Sequence, residues 1–145
     1  GGGAQTSTGQ DIFLLELTGG GTYRWLRHFG GTYDFVNCGL AIGTDSVDNV
    51  AVAGILKGTA DFGTGAVNSV NGTMDTFLAK YTAGGAPLWV RTFGTAGMEQ
   101  GTALAVDPTD DAVVLGGTFD SAIDLGTGTL RTAGSYDLFL GLYAP

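Results

Sequence analysis

Trp25-Leu-Arg27 and Trp89-Val-Arg91 each set an indole and a guanidinium two residues apart, which on a strand is the same face. A guanidinium stacked on an indole makes a flat platform suited to a sugar ring or a peptide. The same pair also suits an anchor, with the Trp packed between sheets and the Arg snorkelling outward. Both pairs recur at one place in a repeated segment, which favours the anchor. Trp25, Arg27, Trp89 and Arg91 are therefore candidate ligand-platform residues of secondary rank. His28 is the single histidine, expected as a solvated strand residue. One histidine without a partner makes neither a nucleophilic triad nor a zinc site of usual composition.

The carboxylates show no catalytic pairing. Asp107, Asp110 and Asp111 share one turn, where hard oxygens could hold Ca²⁺, but their spacing is not that of a calcium loop and a solvated hairpin turn is expected. Asp61 and Asp124 recur before Phe/Leu-Gly-Thr-Gly and suit turn capping. Asp11, Asp75 and Asp137 recur at strand entries, where they would bond local backbone. Cys38 is the single cysteine, expected as a small buried thiol with Thr102 as its counterpart. Asn71-Gly-Thr73 is a formal glycosylation sequon in an expected loop. No catalytic, cofactor-binding or metal-binding residue is assigned, and no cofactor is expected.

These residues sit in a repeat. Asp11-Ile-Phe-Leu-Leu-Glu-Leu17 returns as Asp75-Thr-Phe-Leu-Ala-Lys-Tyr81 and as Asp137-Leu-Phe-Leu-Gly-Leu-Tyr143, at spacings of 64 and 62 residues. Phe29-Gly30 matches Phe93-Gly94, Leu40-Ala-Ile42 matches Leu104-Ala-Val106, and Val50–Gly54 matches Val113–Gly117. The organisation expected is one repeat domain over 1–145: a unit tail at 1–10, unit one at 11–74, unit two at 75–136, and the first strand of a third unit at 137–145. Each unit predicts four strands, in unit two Asp75–Tyr81, Pro87–Phe93, Thr102–Val106 and Ala112–Phe119. No window carries a helical period with caps. Gly19–Gly21 and Gly84-Gly85 supply positive φ between strands one and two. Turns at 44–49 and 107–111 join strands three and four.

Strand faces say how the sheets pack. Phe77, Ala79 and Tyr81 share one face of their strand, and Thr76, Leu78 and Lys80 the other. In the last strand Phe139 and Tyr143 oppose Leu138, Leu140 and Leu142. A sheet apolar on both faces needs a neighbour on each side. Formal net charge is −8 with six Lys and Arg, which argues against nucleic acid and against an anionic membrane surface. No run of 18 apolar residues is present, so membrane insertion is not expected. The chain opens on Gly, and a processed or excised product is expected.

The pattern Asp-x-Phe, Trp-x-Arg-x-Phe-Gly, Ala-Val-Asp, Val-x-Gly-Gly-x-Phe and Asp-Leu-Gly-Thr-Gly, best kept in Asp75–Tyr81, Trp89–Gly94, Thr102–Asp107 and Val113–Phe119, resembles the bacterial seven-bladed β-propeller repeats often called SBBP repeats. The resemblance implies an all-β chain of tandem four-stranded antiparallel sheets of propeller-blade type. Two blades and extra strands form an incomplete ring, since closed rings take about four to eight blades. It also implies a bacterial protein placed outside the cell or on its surface. The function expected is a non-enzymatic structural or adhesive module that associates through β-strand edges, as a ring, a filament or part of a larger surface protein. Its partners would be further copies or other β-repeat segments. The alternative is a lectin-like ligand-binding fragment with glycans as partners.

Overall fold

The computed structural model describes residues 2–7, 9–30 and 38–145. These residues form an all-β structure of antiparallel sheets, none closed on itself, without an α-helix. The strands are β1 (Ile12–Leu17), β2 (Tyr23–Phe29), β3 (Cys38–Thr44), β4 (Val50–Lys57), β5 (Thr59–Asp61), β6 (Ala66–Asn68), β7 (Met74–Tyr81), β8 (Pro87–Phe93), β9 (Glu99–Val106), β10 (Val113–Phe119), β11 (Ala122–Asp124), β12 (Thr129–Arg131) and β13 (Asp137–Tyr143). A 3-10 turn at Val70–Gly72 precedes β7 and carries the sequon residue Asn71, exposed and at φ 51°.

The first sheet is the β1–β2 hairpin. The second is four-stranded, in the order β3-β4-β7-β8. The third is three-stranded, in the order β9-β10-β13. Four strands are thus met in one sheet. That sheet crosses the boundary between sequence units, because β4 pairs with β7 over eight residues, from Val50↔Tyr81 to Lys57↔Met74. It therefore combines strands three and four of unit one with strands one and two of unit two.

Of the four strands expected in unit two, the second keeps its bounds and the other ends differ slightly. The third begins at Glu99 instead of Thr102. Two small hairpins, β5–β6 and β11–β12, occupy the Asp-Phe-Gly-Thr-Gly and Asp-Leu-Gly-Thr-Gly segments, which the sequence marks only as turns. Asp61 Oδ1 accepts the backbone N–H groups of Gly63 and Gly65 at 2.7 and 3.1 Å, and Asp124 does the same for Gly126 and Gly128 at 2.8 and 3.3 Å. One side chain thus closes each hairpin tip.

One alignment expected from the sequence is corrected. The partner of Cys38 in the next unit is Gln100, not Thr102. The Cys38 carbonyl lies against Gly54 and the Gln100 carbonyl against Gly117, and both strand pairs are irregular at this point. Accordingly Thr44 and Val106 occupy one position, each facing the first residue of the following strand, Val50 or Val113. A slip of two residues leaves every side chain on its original face, so alternation alone cannot detect it.

The second sheet lies between the other two. Ile12, Leu14 and Phe29 of the first sheet pack with Val50, Val52, Phe77, Ala79 and Tyr81. On the opposite side Ala51, Ala53, Leu78 and Phe93 pack with Val113, Leu115, Phe119, Phe139 and Tyr143 of the third sheet. The same aromatic contact joins both layers: Phe29 meets Tyr81 at 5.4 Å, and their repeat counterparts Phe93 and Tyr143 meet at 5.2 Å. The middle sheet consequently buries β7 from Asp75 to Tyr81 on both faces.

Candidate functional site

The two Trp–Arg pairs lie in different surroundings. Trp25 is buried, and its Nε1–H donates to the Ala83 carbonyl at 2.9 Å. Arg27 Nε–H donates to the Gly85 carbonyl at 2.6 Å. Both acceptors belong to the β7–β8 turn of the second sheet, so this pair ties one sheet to the next. Gly85 has φ 78°, and an added methyl group would stand 2.6 Å from the Trp25 ring. Turn geometry and the close approach of the indole thus demand glycine together.

Trp89 and Arg91 hold the corresponding place one unit on. Trp89 is half-buried and Arg91 exposed. The Arg91 guanidinium carbon lies 5.6 Å from the Trp89 ring centre and 5.5 Å from that of Tyr143, within cation–π range of both. A shallow groove of about 370 Å³ beside it is lined by Arg91–Phe93 and Asp124–Gly126.

His28 is more engaged than a solvated strand residue. Its Nε2 lies 2.7 Å from Asp11 Oδ2, its ring stacks on Phe13 at 4.6 Å, and it is half-buried. The β1–β2 register, which sets Phe13 opposite His28, brings these groups together. Cys38 is half-buried at the start of β3, on the wall of a groove of about 690 Å³ that includes Ile12–Leu14 and Leu40–Ile42.

The carboxylates of the 107–111 turn do not converge. Asp107 accepts from Thr109 N–H at 2.8 Å and Asp110 from Ala112 N–H at 3.1 Å. Asp111 reaches the neighbouring turn, where Ser46 N–H and Oγ–H donate to it at 2.8 and 2.7 Å. Among the described residues no three His, Cys, Asp or Glu side chains gather as a metal site.

Sequence reasoning passed over the buried charges. Lys80 Nζ lies 2.9 Å from Asp45 Oδ2, and both side chains are almost wholly buried. Asp45 also accepts from the N–H groups of Val47 and Asn49 and from the Asn49 amide. Burial alone would raise its pKa, but the Lys80 ammonium and these donors overcome that and hold it at about 2. The signal was a lysine on a strand apolar on both faces, which requires a counter-charge close by. Glu99 is fully buried in the third sheet. Thr95 Oγ–H donates to its Oε1 at 2.7 Å, and Oε2 has no hydrogen-bond partner among the described residues. Burial pushes the Glu99 and Asp75 carboxyls up, Asp75 despite accepting from Val70 N–H at 2.7 Å.

The ends of the stack are open. Leu138, Leu140 and Leu142 on β13 are 83, 75 and 69% exposed, and Phe13, Leu15 and Leu17 on β1 are 46, 52 and 48% exposed. β13 pairs with β10 on one side and with no strand on the other among the described residues, although β7, its repeat counterpart, carries β8 there. Among the described residues β1 likewise has no strand on the side where β7 has β4. No family model matches this chain, and no curated protein matches it significantly.

Proposed function

We propose that this chain is a non-enzymatic structural or adhesive repeat module, working outside the cell and associating through its open β-strand edges. The observation that carries this is the unpaired side of β13. An unpaired edge offers a row of N–H and C=O groups to another strand. Along Asp137–Tyr143 the edge has no Lys and no Pro to discourage pairing.

The sheet geometry supports a propeller-blade type of architecture. The second sheet is a four-stranded antiparallel meander covered on both faces by neighbouring sheets, as a blade is. One complete four-stranded sheet between two incomplete ones leaves the stack open at both ends. The partners are further copies of the chain or other β-repeat segments. Placement outside the cell rests on the resemblance to SBBP repeats and on an acidic, lysine-poor composition. Light scattering on the purified chain tests the proposal. Assembly growing with concentration is expected, and a monomer at all concentrations overturns it.

A second function has its own support in the exposed Arg91 set against Trp89 and Tyr143. This arrangement suits a lectin-like site with glycans as ligands. A glycan array reads it out: binding that disappears in Trp89→Ala, with the far-UV spectrum unchanged, establishes it.

A further inference from the structure

The sheets stack inside the chain by one contact used twice. The Leu14 face of the first sheet meets the Phe77 face of the second. The Leu78 face of the second meets the Phe139 face of the third. Leu14, Leu78 and Leu140 are repeat counterparts, as are Phe13, Phe77 and Phe139. Each stacking event therefore joins a leucine face to a phenylalanine face. After two events one face of each kind remains: the Leu138, Leu140 and Leu142 face at one end, and the Phe13, Leu15 and Leu17 face at the other.

We infer that these two faces bind each other between copies of the chain, so that the third sheet of one copy seats on the first sheet of the next. The occupant is a second copy because the open faces carry the two halves of the contact already formed within the chain. One face is Leu138, Leu140 and Leu142 with the exposed Ala103 and Ala105 beside them, and the other is Phe13, Leu15 and Leu17 with His28 stacked on Phe13, so the surface they offer each other is chiefly apolar. Burial of this apolar surface drives the contact. The two faces differ, so the contact is head-to-tail and builds a ring if its rotation closes or a filament if it does not. This rests on the self-association proposed above and goes further, assigning assembly to sheet faces and fixing its polarity.

Two variants test it by sedimentation over two decades of concentration around the micromolar range. Leu140→Asp disables one end and Leu15→Asp the other, each at an exposed position; Leu138→Asp replaces Leu140→Asp if the latter alters the far-UV spectrum. The expected result is that wild type assembles, each variant alone stays monomeric, and an equimolar mixture gives a species of twice the monomer mass and nothing larger. Assembly of either variant by itself overturns the head-to-tail contact. If both variants assemble like wild type, strand edges carry the association and the face contact falls while the proposed function stands. A wild type monomeric throughout overturns both.

Discussion

Leu78 and Leu140 occupy one position in successive repeats, yet Leu78 is completely buried and Leu140 is 75% exposed. Leu78 faces Ala53 on β7, inside its sheet, and Leu140 faces Gly116 on β13, at the edge of its own. A third sheet covers the first leucine and nothing in the structure covers the second.

The two leucines should respond differently to truncation. Leu78→Ala is expected to cost about 2–5 kcal/mol, the range for a buried leucine whose cavity cannot collapse. Leu140→Ala should change the stability of the dilute chain by less than about 0.5 kcal/mol. Urea unfolding at low protein concentration measures both. Equal losses would show that Leu140 is covered in solution.

Gly54 and Gly117 should not tolerate alanine. A methyl group at Gly54 would overlap the Cys38 carbonyl oxygen, and one at Gly117 the Gln100 carbonyl oxygen. Backbone cannot step aside as a flexible side chain can, so about 1–3 kcal/mol or more is expected for each substitution. Gly84→Ala, in an open turn, is the control. Thermal unfolding of the three variants compares them directly.

The Asp45–Lys80 pair should be costly to break from either side. Lys80→Met leaves a buried carboxylate without its cation, and a loss of about 3–5 kcal/mol is expected. The double variant Asp45→Asn/Lys80→Met should recover part of it. A double-mutant cycle by chemical denaturation measures the coupling, and additive losses would remove the ion pair from the account.

Acid should act with two signs. Asp45 is held at about 2 in the folded chain, so its contribution is present above the unfolded value near 4 and is lost as pH falls toward 2, worth about 2 kcal/mol. Glu99 and Asp75 are raised by burial, so the folded chain binds their protons more tightly than the unfolded chain does. Stability is therefore gained as pH falls through their folded values toward the unfolded values near 4. A stability maximum on the acid side of neutrality is expected, and Glu99→Gln should flatten the rise toward it. Urea midpoints against pH give the curve; a monotonic fall from pH 7 would contradict it.

The Trp pairs should separate by position. Trp25→Ala removes a buried ring and its hydrogen bond to Ala83, with about 3–5 kcal/mol expected. Trp89→Ala, at a half-buried ring, should cost clearly less. Differential scanning calorimetry distinguishes the two.

The repeat was legible because strand alternation and turn chemistry are local. Asp61 and Asp124 close their hairpins with bonds two and four residues along the chain, and Gly21 and Gly85 take φ of 79° and 78° in turns of the same build. Neighbours within a few residues determine such features, and those neighbours are written in order. The leucine row on β13 was legible for the same reason, since period two assigns faces without knowledge of the fold.

Contacts between distant segments decided the rest. That His28 meets Asp11, that Lys80 meets Asp45, that Trp25 is covered and Trp89 half open, and that Cys38 corresponds to Gln100 all depend on register and on which sheet lies over which. Pairing free energies between strands change little with a slip of two residues, because every side chain keeps its face. Packing of whole sheets selects among the registers, and the sequence on its own determined the faces but not what would lie against them.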